Sequence, residues 1–266
     1  MNVEVVESLG SRAWPAREAV EEGGWHMRFS DGYTRRANSA TPVNGAGDTA
    51  LENIRACEAA YRKRGLPPIF RLTDLEDLPR LDDRLGEAGY RREAPTLVMA
   101  RPLDNGPYAP LTGNGEGGGK GGAPTPGRQL PGVVEAGLDE WLGHYSRFTS
   151  ASNESRASHG EILSRIETGM LPLVLSLENR VVACGLAVLE QGYAGFFDLV
   201  VDPACRGRGV GEGLLSGMLA RAAADGAAVA YLQVMEENHA AGKLYRRAGF
   251  RPLYRYWYRV PAVTEP

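Results

Sequence analysis

The stretch from Asp104 to Gly132, DNGPYAPLTGNGEGGGKGGAPTPGRQLPG, is made largely of glycine, proline and small polar residues. It has too little apolar surface to offset the entropy of ordering it, so no continuous core can run through it. Structureless loops of this length are uncommon inside a compact domain. The segment therefore reads as a flexible linker, with GNGEGGGKGG (Gly113–Gly122) its most mobile part. The alternative is one long loop within a single domain. The expected organisation is a first domain over 1–103, a Gly/Pro-rich linker over 104–132 and a second domain over 133–266. A chain of 266 residues is long enough for two such bodies.

Composition excludes several classes of function. The formal charge of −3 leaves no global basic footprint, so nucleic acid is not an expected partner. Cys57, Cys184 and Cys205 are far apart and fit neither a disulfide framework nor a metal site, so no metal is implied. The N-terminus lacks an apolar segment of signal-peptide length, and no run is long enough to span a bilayer. A cytoplasmic protein with no membrane partner is the default expectation.

After the linker, apolar spacing predicts helices over Leu138–Phe148 and Ser158–Ile166, then strands LPLVLSL, VVACGLAVLE and YAGFFDLVV. Glu178-Asn179-Arg180 and Gln191-Gly192 read as the hairpin turns between those strands. A glycine-rich loop, a helix over about Gly209–Asp225, the strand AVAYLQV, the helix HAAGKLYRRAG and the strand FRPLYRYWYRV complete an α-α-β-β-β-α-β-α-β order. The first hundred residues read as a shorter version. GWHMRFS and YTRRAN are predicted to form a hairpin about Asp31-Gly32. A helix follows over Thr49–Arg64, then PIFRLT, a helix over Leu78–Glu87, and YRREAPTLVMA. Ala88-Gly89-Tyr90-Arg91 matches Ala248-Gly249-Phe250-Arg251, each between a short helix and a last strand, which suggests an internal repeat. Chance recurrence of a helix-terminating glycine is the other reading.

The loop CRGRGVGEG follows a strand and opens a helix. Gly207, Gly209 and Gly211 permit close backbone approach and conformations barred to other residues. The amides of the first helical turn have no intrahelical partner, and with the helix dipole they make an anion site. Arg206 and Arg208 add forked donors suited to phosphate, while Glu212 weakens the field unless its side chain turns to solvent. A Walker loop would need Gly-Lys-Ser/Thr where this chain has Gly211-Glu212-Gly213, and GRGVGEG lacks the spacing of a dinucleotide fingerprint. A glycine-rich turn that binds nothing would leave the arginines unexplained.

Arg206-x-x-Gly209-x-Gly211 resembles the R/Q-x-x-G-x-G/A loop of the GNAT superfamily of acyl-CoA-dependent N-acyltransferases. Asn238, Ala241, Leu244, Tyr245 and Gly249-Phe250 are similar to that family's N-x-x-A-x-x-L-Y-x-x-x-G-F. The resemblance covers roughly Val133–Val260, and the whole chain is similar to bacterial tandem GNAT-like proteins with a degenerate N-terminal half. It implies an α/β GNAT fold, a mixed and mostly antiparallel sheet flanked by helices, in two GNAT-like halves. In the first half TPVNGAGDTA replaces the loop; it has no Arg or Gln at the required place, and Asp48 would compete with phosphate.

The resemblance implies an N-acetyltransferase with acetyl-CoA as co-substrate. Leu199, Val200 and Val201 would pair with the pantetheine arm, and Arg206, Gly207, Arg208, Gly209, Val210 and Gly211 would cradle the pyrophosphate. Asn238 would hydrogen-bond the coenzyme. Tyr245 would bind beside it and protonate the leaving thiolate, since a phenol of ordinary pKa about 10 stays protonated at neutral pH. Asp198 is the first choice for general base; it could instead be a structural carboxylate, with Glu236, Glu237 or solvent as other routes. His239 reads equally as a surface residue, and His26, His144 and His159 are isolated. The aromatic run LYRYWYRV reads as a two-faced strand rather than a nucleic-acid platform, with Tyr254–Tyr258 candidates for lining an amine pocket. The acceptor would be a small-molecule or peptide amine. The competing function is a non-catalytic acyl-CoA-binding regulatory or interaction module. A tandem chain imitates a dimer within one polypeptide, which favours a monomer.

Overall fold

A computed structural model describes residues 2–43, 50–75, 79–103 and 132–262. The expected linker, save Gly132, and Asp48 lie outside these residues. The chain packs as two compact units. Unit 1 takes the residues up to Arg101, Asn153–Thr168 and the chain from Tyr231, and unit 2 takes Pro102–Ser152 and Gly169–Ala230. Compact units and sequence halves are thus different divisions of this chain.

Unit 2 carries β6 (Val133–Glu135), α4 (Leu138–Thr149), β7 (Gly169–Leu177), β8 (Arg180–Glu190), β9 (Tyr193–Val201) and α6 (Val210–Ala224). Its four strands run in the order β6-β7-β8-β9, each antiparallel to the next. Both expected hairpin turns form. Glu178 and Asn179 have φ 49° and 61°, and Gln191 and Gly192 have φ 51° and 76°, the left-handed pairs that match strand twist. Val182 to Val188 are buried without a break. Such a run requires cover on both faces of the sheet, and α4 and α6 both pack on these strands.

Unit 1 carries α1 (Val3–Arg12), β1 (Glu18–Glu22), β2 (Trp25–Phe29), β3 (Ala40–Pro42), α2 (Ala50–Lys63), β4 (Phe70–Thr73), α3 (Pro79–Glu87) and β5 (Tyr90–Pro102). From later in the chain come α5 (Asn153–Leu163), most of β10 (Val229–Met235), α7 (His239–Arg247) and β11 (Arg251–Pro261). The strand order is β1-β2-β3-β4-β11-β5-β10, with β3 and β4 parallel. Alternation along β2 sends Trp25, Met27 and Phe29 to one face, where they join Ile54, Cys57 and Tyr61 of α2, Leu81 and Leu85 of α3, Phe70 and Leu72 in one apolar core.

The sequence-based elements differ from the structure at several points. The N-terminal helix α1 and the strands β1, β3 and β6 were not expected, and α5 spans Asn153–Leu163 where Ser158–Ile166 was expected. Asn2 caps α1, its side chain accepting from Glu4 N at 3.0 Å, and only Val6, Leu9 and Gly10 of the helix are buried. The first hairpin turns at Gly23-Gly24, joining β1 to β2, rather than at Asp31-Gly32. Tyr33–Asn38 is not a strand but a turn and a short 3-10 helix (Arg35–Ala37). Buried Asn38 explains this: its side-chain oxygen accepts from Ser30 N at 2.7 Å and its amide donates to Tyr33 O and Thr34 O at 2.8 Å, so a side chain takes the backbone groups a ladder would have used. The aromatic run near the C-terminus is a strand, as its alternation predicts, and it is buried on both faces. β11 lies between β4 and β5, with Trp257 opposite Leu72 and Tyr254 opposite Val98. On one side Asp82 accepts from Trp257 Nε1 at 2.7 Å and from Arg259 Nε and Nη2 at 2.8 and 2.9 Å.

Candidate functional site

In unit 2 the strand β9 is interrupted at Asp198. Val200 faces Cys184 and Phe197 faces Leu186, so Asp198 and Leu199 together oppose the single residue Gly185. This is a β-bulge, and Asp198 carries the left-handed backbone it requires, with φ 53°. Gly185 lies opposite it, where a side chain would crowd its neighbours. A Cβ there would meet Met218 Sδ of α6 at 2.7 Å and Leu199 at 3.4 Å. Trp141 of α4 locks the same point by donating Nε1–H to the Gly185 carbonyl at 3.1 Å. Neither Gly185 nor Trp141 was singled out in the sequence as part of the site; the signal available was a glycine in the middle of an apolar strand. Burial pushes the Cys184 thiol up, with the Asp198 charge adding to it, so Cys184 is an inert core thiol.

Beyond the bulge, Leu199, Val200 and Val201 are half-buried, and the chain leaves the sheet at Asp202. The Asp202 carboxylate accepts from Ala204 N at 3.0 Å and from Arg180 at 2.5 Å. Those contacts, the backbone N–H foremost, hold its pKa below the usual carboxylate range and fix a one-turn 3-10 helix over Pro203–Cys205. Arg206, Gly207, Arg208 and Gly209 follow, all exposed. Gly207 and Gly209 have φ 74° and 79°, and Gly209 is the N-cap of α6. The first α6 amide bonded to a carbonyl of the turn is that of Gly213, to Gly209 O at 3.0 Å. The N–H groups of Val210, Gly211 and Glu212 therefore precede the intrahelical ladder, which is the arrangement an anion requires. Arg206 is held back along the strand, donating Nε–H to Val201 O at 3.3 Å. Glu212 is buried at 9% exposure, so it does not reach solvent as the sequence reading required for it to be harmless.

The second motif lies in unit 1. Asn238 is the N-cap of α7, and its side-chain oxygen accepts from Ala241 N at 3.1 Å. Its role in the helix is thus assigned to the oxygen, leaving the amide N–H pair as donors. Tyr245 lies one helical face further on, 8% exposed, its ring edge-on to Phe250 at 6.1 Å. Burial pushes its phenol up to about 12. Glu236 is paired with Arg255 at 2.6 Å. Tyr254 and Tyr256 also have partners, donating to Glu7 and, at 2.9 Å, to Gln233 Oε1. The structure thus brings Asp198, Leu199–Val201 and the loop Arg206–Gly211 together in unit 2, and Asn238 with Tyr245 on one helix of unit 1. Among the described residues no group of three or more His, Cys, Asp or Glu is placed to hold a metal ion, and no helix is long and apolar enough to cross a membrane.

A Bacillus subtilis (strain 168) protein described as an uncharacterized N-acetyltransferase, YobR, is 26% identical over 97% of this chain and 98% of its own length. Among solved structures, a GCN5-related N-acetyltransferase from Kribbella flavida superposes with a TM-score of 0.66 at 17% identity, covering 98% of this chain and 97% of that one. A tandem GNAT protein from the clavulanic acid biosynthesis pathway superposes with a TM-score of 0.58 at 16% identity, over 98% and 89% of the two chains. Residues 2–259 match the family described as "Probable histone acetyltransferase Rv0428c C-terminal", and the chain belongs to that family, one of the GNAT-type N-acetyltransferases.

Proposed function

We propose that this acetyltransferase moves an acetyl group from acetyl-CoA to a primary amine of a small molecule or peptide by direct attack. The observation that carries the reading is the exposed loop Arg206–Gly211, with left-handed glycines at the start of α6 and two arginines beside them. A Cβ at Gly207 or Gly209 would meet nothing within 4 Å, so the glycines serve backbone shape and the space before them is open to a pyrophosphate.

The roles follow from what acyl transfer needs. Loop amides and Arg206 with Arg208 hold the diphosphate, and backbone groups of Leu199, Val200 and Val201 receive the amide-bearing arm. Val210 and Gly211 contribute the first helical amides, and Asn238 donates its amide hydrogens to the coenzyme. Asp198, directly or through water, takes the proton of the attacking amine as the N–C bond forms. Tyr245 gives its phenolic proton to the sulfur as the C–S bond breaks. A phenol held at about 12 is fully protonated at neutral pH, as a donor must be.

The test is calorimetric titration of acetyl-CoA into wild type and an Arg206→Ala/Gly209→Asp double variant, followed by thiol release over a panel of amines. Binding lost in the double variant, with turnover on an amine in the wild type, is the expected result. No binding to folded wild type would overturn the reading. Binding without turnover on any amine would favour the non-catalytic module.

A further inference from the structure

Tyr245 stands near the C-terminal end of α7, and the chain leaves that helix by a Schellman turn. Gly249, with φ 88°, follows the cap residue Ala248. Its N–H donates to Arg246 O at 3.1 Å, and the Phe250 N–H donates back to Tyr245 O at 3.0 Å. The turn thus holds the Tyr245 carbonyl, and fully buried Phe250 sets its ring edge-on to the Tyr245 ring. Where this turn sits decides where the phenol sits.

The turn is clamped from the first half of the sequence. Arg101, near the end of β5, is 7% exposed and donates Nη1–H to the Ala248 carbonyl at 2.8 Å. Its stem lies against Gly249, where a Cβ would meet Arg101 Cδ and Nε at 3.5 Å. A guanidinium at the last carbonyls of a helix offsets the negative end of the helix dipole and supplies a donor that the helix itself does not. The entry to the same helix is tied to the same strand. Glu236, two residues before the N-cap Asn238, donates its N–H to Pro95 O at 2.8 Å. The sheet order makes both ties possible, because β5 lies between β10, which leads into α7, and β11, which leads out of it. Ala100 stands opposite Arg251, so Arg101 adjoins the pair that starts β11.

We infer that Arg101 is a positioning residue: by clamping the turn after α7 it fixes the Tyr245 phenol for proton transfer to the leaving sulfur. A residue of the first sequence half then governs a step assigned to the second. This rests on the proposed role of Tyr245. A residue that acts through the phenol has no effect on the reaction once the hydroxyl is gone, whereas one that only stabilises the fold acts regardless.

The experiment measures thiol release from acetyl-CoA by the full-length chain, with the amine of highest turnover in the panel above held saturating. Wild type, Arg101→Met, Tyr245→Phe and the double variant are compared. Arg101→Met keeps much of the buried stem and removes the donor. Its kcat should fall about tenfold, as a small misplacement of a reacting group does, with KM for acetyl-CoA changed by less than about twofold. In the Tyr245→Phe background the same substitution should change kcat by less than about twofold. Arg101→Lys, which restores a cation and a donor, should recover most of the loss. If Arg101→Met does not fold, Arg101→Gln, which keeps a donor without the charge, takes its place in the cycle with a several-fold effect. Unchanged kcat in the arginine variants, or an equal fall with and without the Tyr245 hydroxyl, would overturn the inference and leave the proposed function standing. Wild type without turnover, or Tyr245→Phe at the wild-type rate, would instead overturn the proposed role of Tyr245 and the inference with it.

Discussion

Unit 2 closes its sheet with neighbours in sequence, and unit 1 does not. Each strand from β6 to β9 pairs with the one before or after it, and the two longest pairs meet through two-residue left-handed turns. In unit 1 the pairs β4–β11 and β11–β5 join Thr73 to Tyr256 and Val98 to Tyr254. Contacts so distant along the chain carry a larger loop-closure cost and form late. The local and the long-range features divide in the same way. The loop of unit 2 is made of backbone, with glycines setting the direction of amides. The ties of unit 1 are made of side chains from distant elements, Glu7 of α1 with Arg71 of β4 and Asp82 of α3 with Arg259 of β11. A site made of backbone can be read from a local pattern; one made of side chains needs the fold first.

The largest expected effect comes from removing β11. A chain ending at Gly249 leaves β4 and β5 without the strand that lies between them. Hydrogen exchange should then show Phe70–Thr73 and Tyr90–Pro102 unprotected while β7 to β9 stay protected. Retained protection of β4 would break the comparison. Next, Tyr245→Phe keeps the buried ring and removes the proton donor. Its kcat should fall by roughly 10²-fold or more with little change in Tm, and the wild-type rate should show no basic limb from Tyr245 until pH nears 12. Unchanged kcat would remove Tyr245 from the chemistry.

Asp82→Ala unpairs Arg259 and Trp257 and loosens β11 from α3. Breaking such a shielded pair should cost about 3 kcal/mol in denaturant unfolding at neutral pH. Burial raises the Asp82 carboxyl, but Arg259 and Trp257 bring it below its ordinary 3.8. A depressed carboxylate contributes stability that is present above the unfolded value and lost as pH falls through the folded one. The gap between wild type and variant should therefore narrow below pH 3.8. A pH-independent gap would assign the effect to packing. The smallest effect is Gly209→Ala, which forces a side chain into φ 79° and should cost about 1–2 kcal/mol. It should also weaken acetyl-CoA binding; strain without weakened binding would separate the loop's shape from its proposed role.

Much of the fold was legible because its signals are local. Apolar spacing marked Leu138–Phe148 and about Gly209–Asp225, which form α4 and α6, and Glu178-Asn179 and Gln191-Gly192 marked turns whose φ values only a few residues tolerate. The first hairpin was misplaced because Asp31-Gly32 has the right turn residues, yet buried Asn38 claims the neighbouring backbone groups. α1 went unseen because its burial depends on a sheet face assembled from β2, β4 and β11. In the candidate site, Arg206 and Gly209 stood out in the glycine-rich loop, and Asn238 and Tyr245 through the resemblance to the GNAT motif. The bulge at Asp198 was not, since it exists only as a mismatch of two residues against Gly185.

By itself the sequence determined most helices, strands and turns of unit 2 and the glycine-rich turn that opens α6, because propensity, periodicity and glycine's freedom act within a few residues. Only the tertiary structure decided that the last strand belongs between β4 and β5, and that Glu7 pairs with Arg71. Burial and pairing of charges depend on which distant segments come together, and no local pattern encodes that distance.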